Sequence, residues 1–149
     1  MDHDALETYL NDHLAGSTLG LDHAKQLAER VPVVVRLAHE IEEDRDALID
    51  LMQRVGASEN PVKKATAWVS EKAGRLKFSD DELGTYLAIE TLSLGVEGKK
   101  CLWQALKAVA DSHPELAATD LDTLITRASA QRMTLESERV AAAGRAFAA

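Results

Sequence analysis

Apolar residues recur every three or four positions along most of the chain, the spacing of one face of an α-helix. Leu6, Leu10, Leu14, Leu21, Ala24 and Ala28 mark a first helix over about 4–30. Pro32 suits the opening turn of a second helix, where its missing N–H costs nothing. That helix, about 33–56, carries Val34, Leu37, Ile41, Leu48, Leu51 and Val55, with Gly56 as its stop. Asn60-Pro61 opens a shorter element over 61–77. Ser79 followed by Glu82 matches a capping box and opens a long helix over 80–112, stopped by His113-Pro114. Thr119 or Asp120 caps a last helix over 119–147, through Leu121, Ile125, Leu135 and Val140 to Phe147. No strand-like alternation competes over more than a few residues; the run Val31 to Val35 reads better as a helix start.

Four helices of this length measure about 35–50 Å and bury their stripes by lying side by side. The short links within the first and last pairs predict two antiparallel hairpins, with 56–79 crossing between them. The expected fold is an all-α antiparallel four-helix bundle with a short accessory helix, one domain over 1–149. Composition agrees: 46% of residues are hydrophobic, 4% aromatic, and only three are proline.

A net charge of −8 argues against nucleic acid as a partner. The acidic N-terminus and the short apolar runs argue against a signal peptide or a membrane span. One cysteine excludes an internal disulfide, and the expected location is cytoplasmic. The charge is uneven. Residues 61–77 hold five basic residues against one acid, +4, leaving −12 for the remainder. The apolar side of that element, with Trp68 and Val69, is expected to dock on the bundle; its basic side is either a solvated face or a contact for an anionic partner.

Polar residues on the apolar seams carry the candidate chemistry. In the 80–112 helix two stripes compete for the interior. Leu83, Leu87, Glu90, Leu94, Glu97, Cys101 and Ala108 form one; Ile89, Leu92, Val96, Trp103, Leu106 and Val109 form the other. In the last helix Ile125, Met133, Glu136, Val140, Ala143 and Phe147 give a seam containing Glu136, which could face Glu97 across the hairpin. Asp44 sits between Ile41 and Leu48, flanked by Glu40 and Glu43, and His13 and Ser17 interrupt the first helix. Buried carboxylates are costly unless paired, neutralised or bound to metal.

Two long hairpins, a long crossover and acidic mid-helix residues resemble the ferritin-like superfamily. The resemblance implies a di-iron or di-manganese centre, with Glu40, Glu43, Glu90, Glu97 and Glu136 as ligands and dioxygen or peroxide as the species activated. The family pattern has Glu-x-x-His on one helix of each pair. Here Glu40-Ile41-Glu42-Glu43 and Glu136-Ser137-Glu138-Arg139 replace the histidine with Glu and Arg, and a guanidinium cannot ligate a metal. The preferred reading is therefore a bundle without cofactor or catalytic residues, acting by self-association or by binding a partner or ligand. A di-metal oxidase or iron-handling protein with atypical ligands is the alternative.

Other readings apply residue by residue. The acids from Glu40 to Asp46 could be a solvated face, and Glu97 could pair with Arg132 or Arg139. His13 reads as a hydrogen-bonded core or edge histidine, and Cys101 as a small buried hydrophobe. Gly16-x-x-x-Gly20-x-x-x-Ala24 puts small residues on one face, for close helix contact inside the bundle, a dimer interface, or a space for a small ligand. Glycine-rich phosphate loops, HExxH, CxxC and GxSxG motifs are absent from the chain.

Overall fold

The computed structural model describes residues 2–59 and 78–148. The expected accessory helix over 61–77 lies outside the described residues. The others form α1 (His3–Ala28), α2 (Val34–Arg54), α3 (Glu82–Val109) and α4 (Leu121–Phe147), with 3-10 turns at Ala110–Ser112 and Pro114–Leu116 between the last two. Among the described residues there is no strand, and no helix is long and apolar enough to cross a membrane.

The helix ends follow local chemistry, with two shifts from expectation. Pro32 lies in the turn before α2 rather than inside it; Val33 is the cap residue and gives no side-chain hydrogen bond. At α3 the cap is Asp81, not Ser79. The Asp81 carboxylate accepts from the Gly84 N–H at 2.7 Å and from the Ser79 hydroxyl at 2.6 Å, so Ser79 braces the cap. A Cβ on Gly84 would collide with the Ser79 carbonyl, which explains glycine there. Asp120 caps α4, accepting from the Thr123 N–H at 3.0 Å and hydroxyl at 2.7 Å. Gly56 stops α2 as expected: its φ is +70°, and Ala57 N–H and Gly56 N–H donate back to Met52 and Gln53 carbonyls. That is a Schellman closure, whose left-handed residue favours glycine.

All four helices share two apolar clusters. One joins Leu21, Leu27, Val34, Leu37, Ile89 and Leu135, among others. The second joins Leu10, Leu14, Leu51, Leu102, Trp103 and Leu124 with their neighbours. In α3 the Ile89–Trp103–Leu106 stripe is buried and the competing stripe faces outward: Leu83, Leu87, Leu94 and Cys101 are exposed. Cys101 is therefore not a core residue. Val109, assigned to the inner stripe, is also exposed. The α4 seam differs as well. Leu121, Leu124, Ala128, Gln131, Leu135 and Ala142 are buried, while Met133 (76% exposed), Glu136, Val140 and Phe147 face solvent. A 27-residue helix of low amphipathic contrast offers two apolar stripes, and only its neighbours choose between them.

Candidate functional site

A group of polar side chains interrupts the apolar seams of three helices. It occupies one seam position on each of three helices: Asp44 between Ile41 and Leu48 on α2, Lys99 between Val96 and Leu102 on α3, and Gln131 between Ala128 and Leu135 on α4. Asp44 is only 2% exposed. Its Oδ2 accepts from the Lys99 ammonium and, at 3.3 Å, from the Gln131 amide; its Oδ1 accepts from the Arg127 guanidinium. The Gln131 carbonyl accepts from Lys99 at 2.6 Å, and its NH2 also donates to Glu40 at 3.1 Å. Arg127 reaches Glu43 at 3.0 Å. Burial pushes the Lys99 pKa down, opposed by the Asp44 charge beside it. Each charge meets one of opposite sign, the condition for a tolerable buried charge, while the buried Arg127 Nε has no hydrogen-bond partner among the described residues.

On α1 the same level is occupied by Gly16, Ser17 and Gly20 instead of a fourth long side chain. A cavity of about 640 Å³ opens there between α1 and α3, with Ile41, Asp44, Arg45 and Leu48 of α2 on its wall. Gly95 and Gly98 of α3 line the facing side. A Cβ added at Gly20, Gly95 or Gly98 would meet nothing within 4 Å. Gly20 thus faces open space rather than a closely packed helix. The volume falls within the range of small-molecule sites.

His23, His13 and Trp103 are among the residues that line the cavity. The Nε2 of buried His23 lies 2.7 Å from the Ala88 carbonyl, which can only accept, so Nε2 carries the proton. Burial lowers the His23 pKa, and the neighbouring Arg30 charge acts the same way. His13, packed edge-on against Tyr9 at 4.7 Å, is also lowered by burial. Trp103 is 1% exposed, and its buried indole N–H has no hydrogen-bond partner among the described residues. Such a donor ordinarily finds an acceptor.

The five glutamates expected from sequence fall into two places. Glu40 and Glu43 edge the Asp44 cluster, Glu40 also pairing with Arg36 at 3.5 Å. Glu90, Glu97 and Glu136 lie along the outer α3–α4 seam. Glu90 accepts from Tyr86 at 2.7 Å and meets Arg139 at 3.5 Å. Glu97 pairs with Arg132 at 3.1 Å, and the Glu136 carboxylate accepts from Arg139 Nε and Nη2 at 2.9 and 2.8 Å. Those hydrogen bonds hold the Glu136 carboxyl below the usual range and raise the guanidinium. Among the described residues no group of three or more His, Cys, Asp or Glu side chains is arranged to hold a metal ion. The acidic run is a solvated face only in part, since Asp44 within it is buried.

The sequence reading passed over Lys99, Arg127 and Gln131. Lys99 carried a signal, lying three residues after Val96 and four before Trp103 on the buried stripe. Gln131 was hidden by the choice of the other α4 stripe, and Arg127 reaches the cluster only through its length. Compared with family models, curated proteins and solved structures, the chain matches none.

Proposed function

We propose that the chain is a ferritin-like antiparallel four-helix bundle that binds a small, mostly apolar ligand between α1 and α3 and does not carry a dinuclear metal centre. The contact order supports this arrangement. Lys25 meets Glu42 while Glu7 meets Ser58; Glu82 meets Arg145 while Lys107 meets Asp122; Glu40 meets Gln131 while Arg54 meets Thr119. In each pair of segments, high numbers on one side face low numbers on the other.

The α1–α3 cavity carries the ligand reading. Its mostly apolar wall favours burial of hydrocarbon, at about 25 cal/mol per Å² removed from water. Against the metal reading stand the cations already seated on the carboxylates: Lys99 and Arg127 on Asp44, Arg132 on Glu97, and Arg139 on Glu136. Titration with an environment-sensitive apolar dye tests the proposal. Saturable binding at one dye per chain, lost in Gly95→Leu, is expected; no saturable binding overturns it. Iron or manganese loading followed by metal analysis tests the other half, and two tightly held ions per chain would reject it.

Self-association is a second reading, favoured by the exposed Leu94, Met133, Val140 and Phe147. Sedimentation at micromolar concentration decides it: a single monomeric species rejects it.

A further inference from the structure

We infer that the cavity ligand is an amphiphilic monocarboxylate, with its apolar body along the α1–α3 walls and its anionic head on Arg45. This rests on the ligand-binding reading above and adds the head-group class and the residue that selects it.

Arg45 carries the head-group assignment. It is half-buried on the cavity wall, and its Nε donates to the Thr18 hydroxyl at 3.2 Å. A guanidinium stays protonated and offers five N–H donors. Of the eight arginines among the described residues, six hold a carboxylate: Arg30, Arg36, Arg127, Arg132, Arg139 and Arg145. Arg54 holds the Thr119 hydroxyl and does not line the cavity. Arg45 lines it and has no carboxylate partner among the described residues, in a chain with 25 acids against 17 lysines and arginines. The acids beside it on α2 are committed elsewhere: Glu42 to Lys25, and Asp44 to Lys99 and Arg127. Asp46 is exposed, and side chains one position apart on a helix do not face each other. Lys99, the other cation on the wall, is held by Asp44.

A carboxylate matches the guanidinium fork, and such charge-assisted hydrogen bonds are about twice as strong as neutral ones. Thr18 sets the level of the head on α1. It lies nine residues from Tyr9, one end of the α1 lining, or about 14 Å at the helical rise. A bilayer's hydrocarbon core is about 30 Å thick, so one lipid tail spans about 15 Å, close to that stretch of wall. Leu48, Leu102 and Trp103 are among the apolar residues that line the cavity for such a tail. Asp12, the exposed acid on the same wall, lies six residues from Thr18. That is about 9 Å along the axis, beyond the Debye length of about 8 Å at physiological salt, so its repulsion of the head is screened.

The full-length protein is titrated by calorimetry, below micellar concentrations and at physiological salt, with dodecanoate, methyl dodecanoate and dodecyltrimethylammonium. Dodecanoate is expected to saturate at one per chain and to bind at least about tenfold more tightly than its methyl ester, the worth of a charge-assisted hydrogen bond. The cationic amphiphile is expected to bind more weakly than either. In Arg45→Gln, dodecanoate is expected to lose that advantage while the ester's affinity stays within about twofold. A merely structural role for Arg45 would weaken both alike. If that variant does not fold, Arg45→Lys replaces it: the charge stays, the fork is lost, and dodecanoate is expected to weaken about threefold with the ester unchanged. Ester binding as tight as dodecanoate, tighter binding of the cation, or a preference for dodecanoate that persists in Arg45→Gln overturns the anionic-head inference while ligand binding stands. Equal weakening of both ligands, or dye binding without dodecanoate binding, does the same. If neither the dye nor any dodecyl compound binds, the ligand-binding reading itself falls.

Discussion

Asp44 of α2 and Lys99 of α3 form an ion pair across two helices, with the carboxylate almost wholly withdrawn from water. Gln131 bridges the two charges, donating to Asp44 and accepting from Lys99, and Arg127 covers the second carboxylate oxygen. Three helices are thereby tied to one another by directional contacts among otherwise apolar neighbours.

Lys99→Met is expected to destabilise the fold by about 3–5 kcal/mol, because it leaves the buried Asp44 charge without one of its cations. The double replacement Asp44→Leu with Lys99→Met is expected to recover much of that loss. Urea denaturation of the three proteins checks this, and equal midpoints for single and double variants would contradict it.

Stability should fall on mild acidification. The folded pKa values of His23 and His13 lie below the ordinary 6.5, so the unfolded chain binds more protons over the interval beneath that value. Their stabilising contribution is complete above about 6.5 and declines as pH falls through it. His23→Gln, whose amide can still donate to the Ala88 carbonyl, is expected to flatten the fall between about pH 8 and about pH 5. Denaturation midpoints across that range, with unchanged slope in the variant as the contrary result, check it.

Glycine substitutions should divide by position. Gly84→Ala drives a Cβ into the Ser79 carbonyl and is expected to lower the melting temperature. Gly98→Ala enters open space within a helix and is expected to stabilise by about 0.4–1 kcal/mol. Thermal melts of the two variants should move in opposite directions.

Cys101 is exposed on α3 and should react with a maleimide in the native protein without unfolding. Cys101→Ser is expected to change stability by no more than about 0.5 kcal/mol, as for a surface position. Labelling that appears only in denaturant would contradict the outward orientation.

Removing the carboxylate cap in Asp81→Ala should lower the denaturation midpoint. Because its hydrogen bonds hold the Asp81 pKa below the usual value, the contribution is present above about 3.8 and disappears as pH falls through the lower folded pKa. The difference between wild type and variant, measured at neutral pH and again at strongly acidic pH, should vanish in acid.

Much of the helical framework was legible because periodicity and capping are local. Gly56 stops α2, Asp120 caps α4, and the intrusion of Asp44 into an apolar seam was visible in the spacing of Ile41 and Leu48. The α3 and α4 faces were harder. Leu83, Leu87 and Leu94 have the same spacing as buried leucines, and Met133, Val140 and Phe147 the same as a core seam, yet both sets face outward. A helix carrying two apolar stripes holds no internal record of which one its neighbours cover.

The sequence by itself determined the four helical segments, most of their end signals, the α2 seam with Asp44 inside it, and the glycines of α1. Tertiary structure decided which partners those residues meet. Lys99, Arg127 and Gln131 lie 55, 83 and 87 residues from Asp44 and come to it only when three helices pack. The glycines acquire their meaning in the same way: helical spacing put Gly16 and Gly20 on one face, but only α3, with Gly95 and Gly98 opposite, makes that face one wall of a cavity. Local propensities act over a few residues, whereas a paired charge or a cavity is a relation between segments that only packing brings into being.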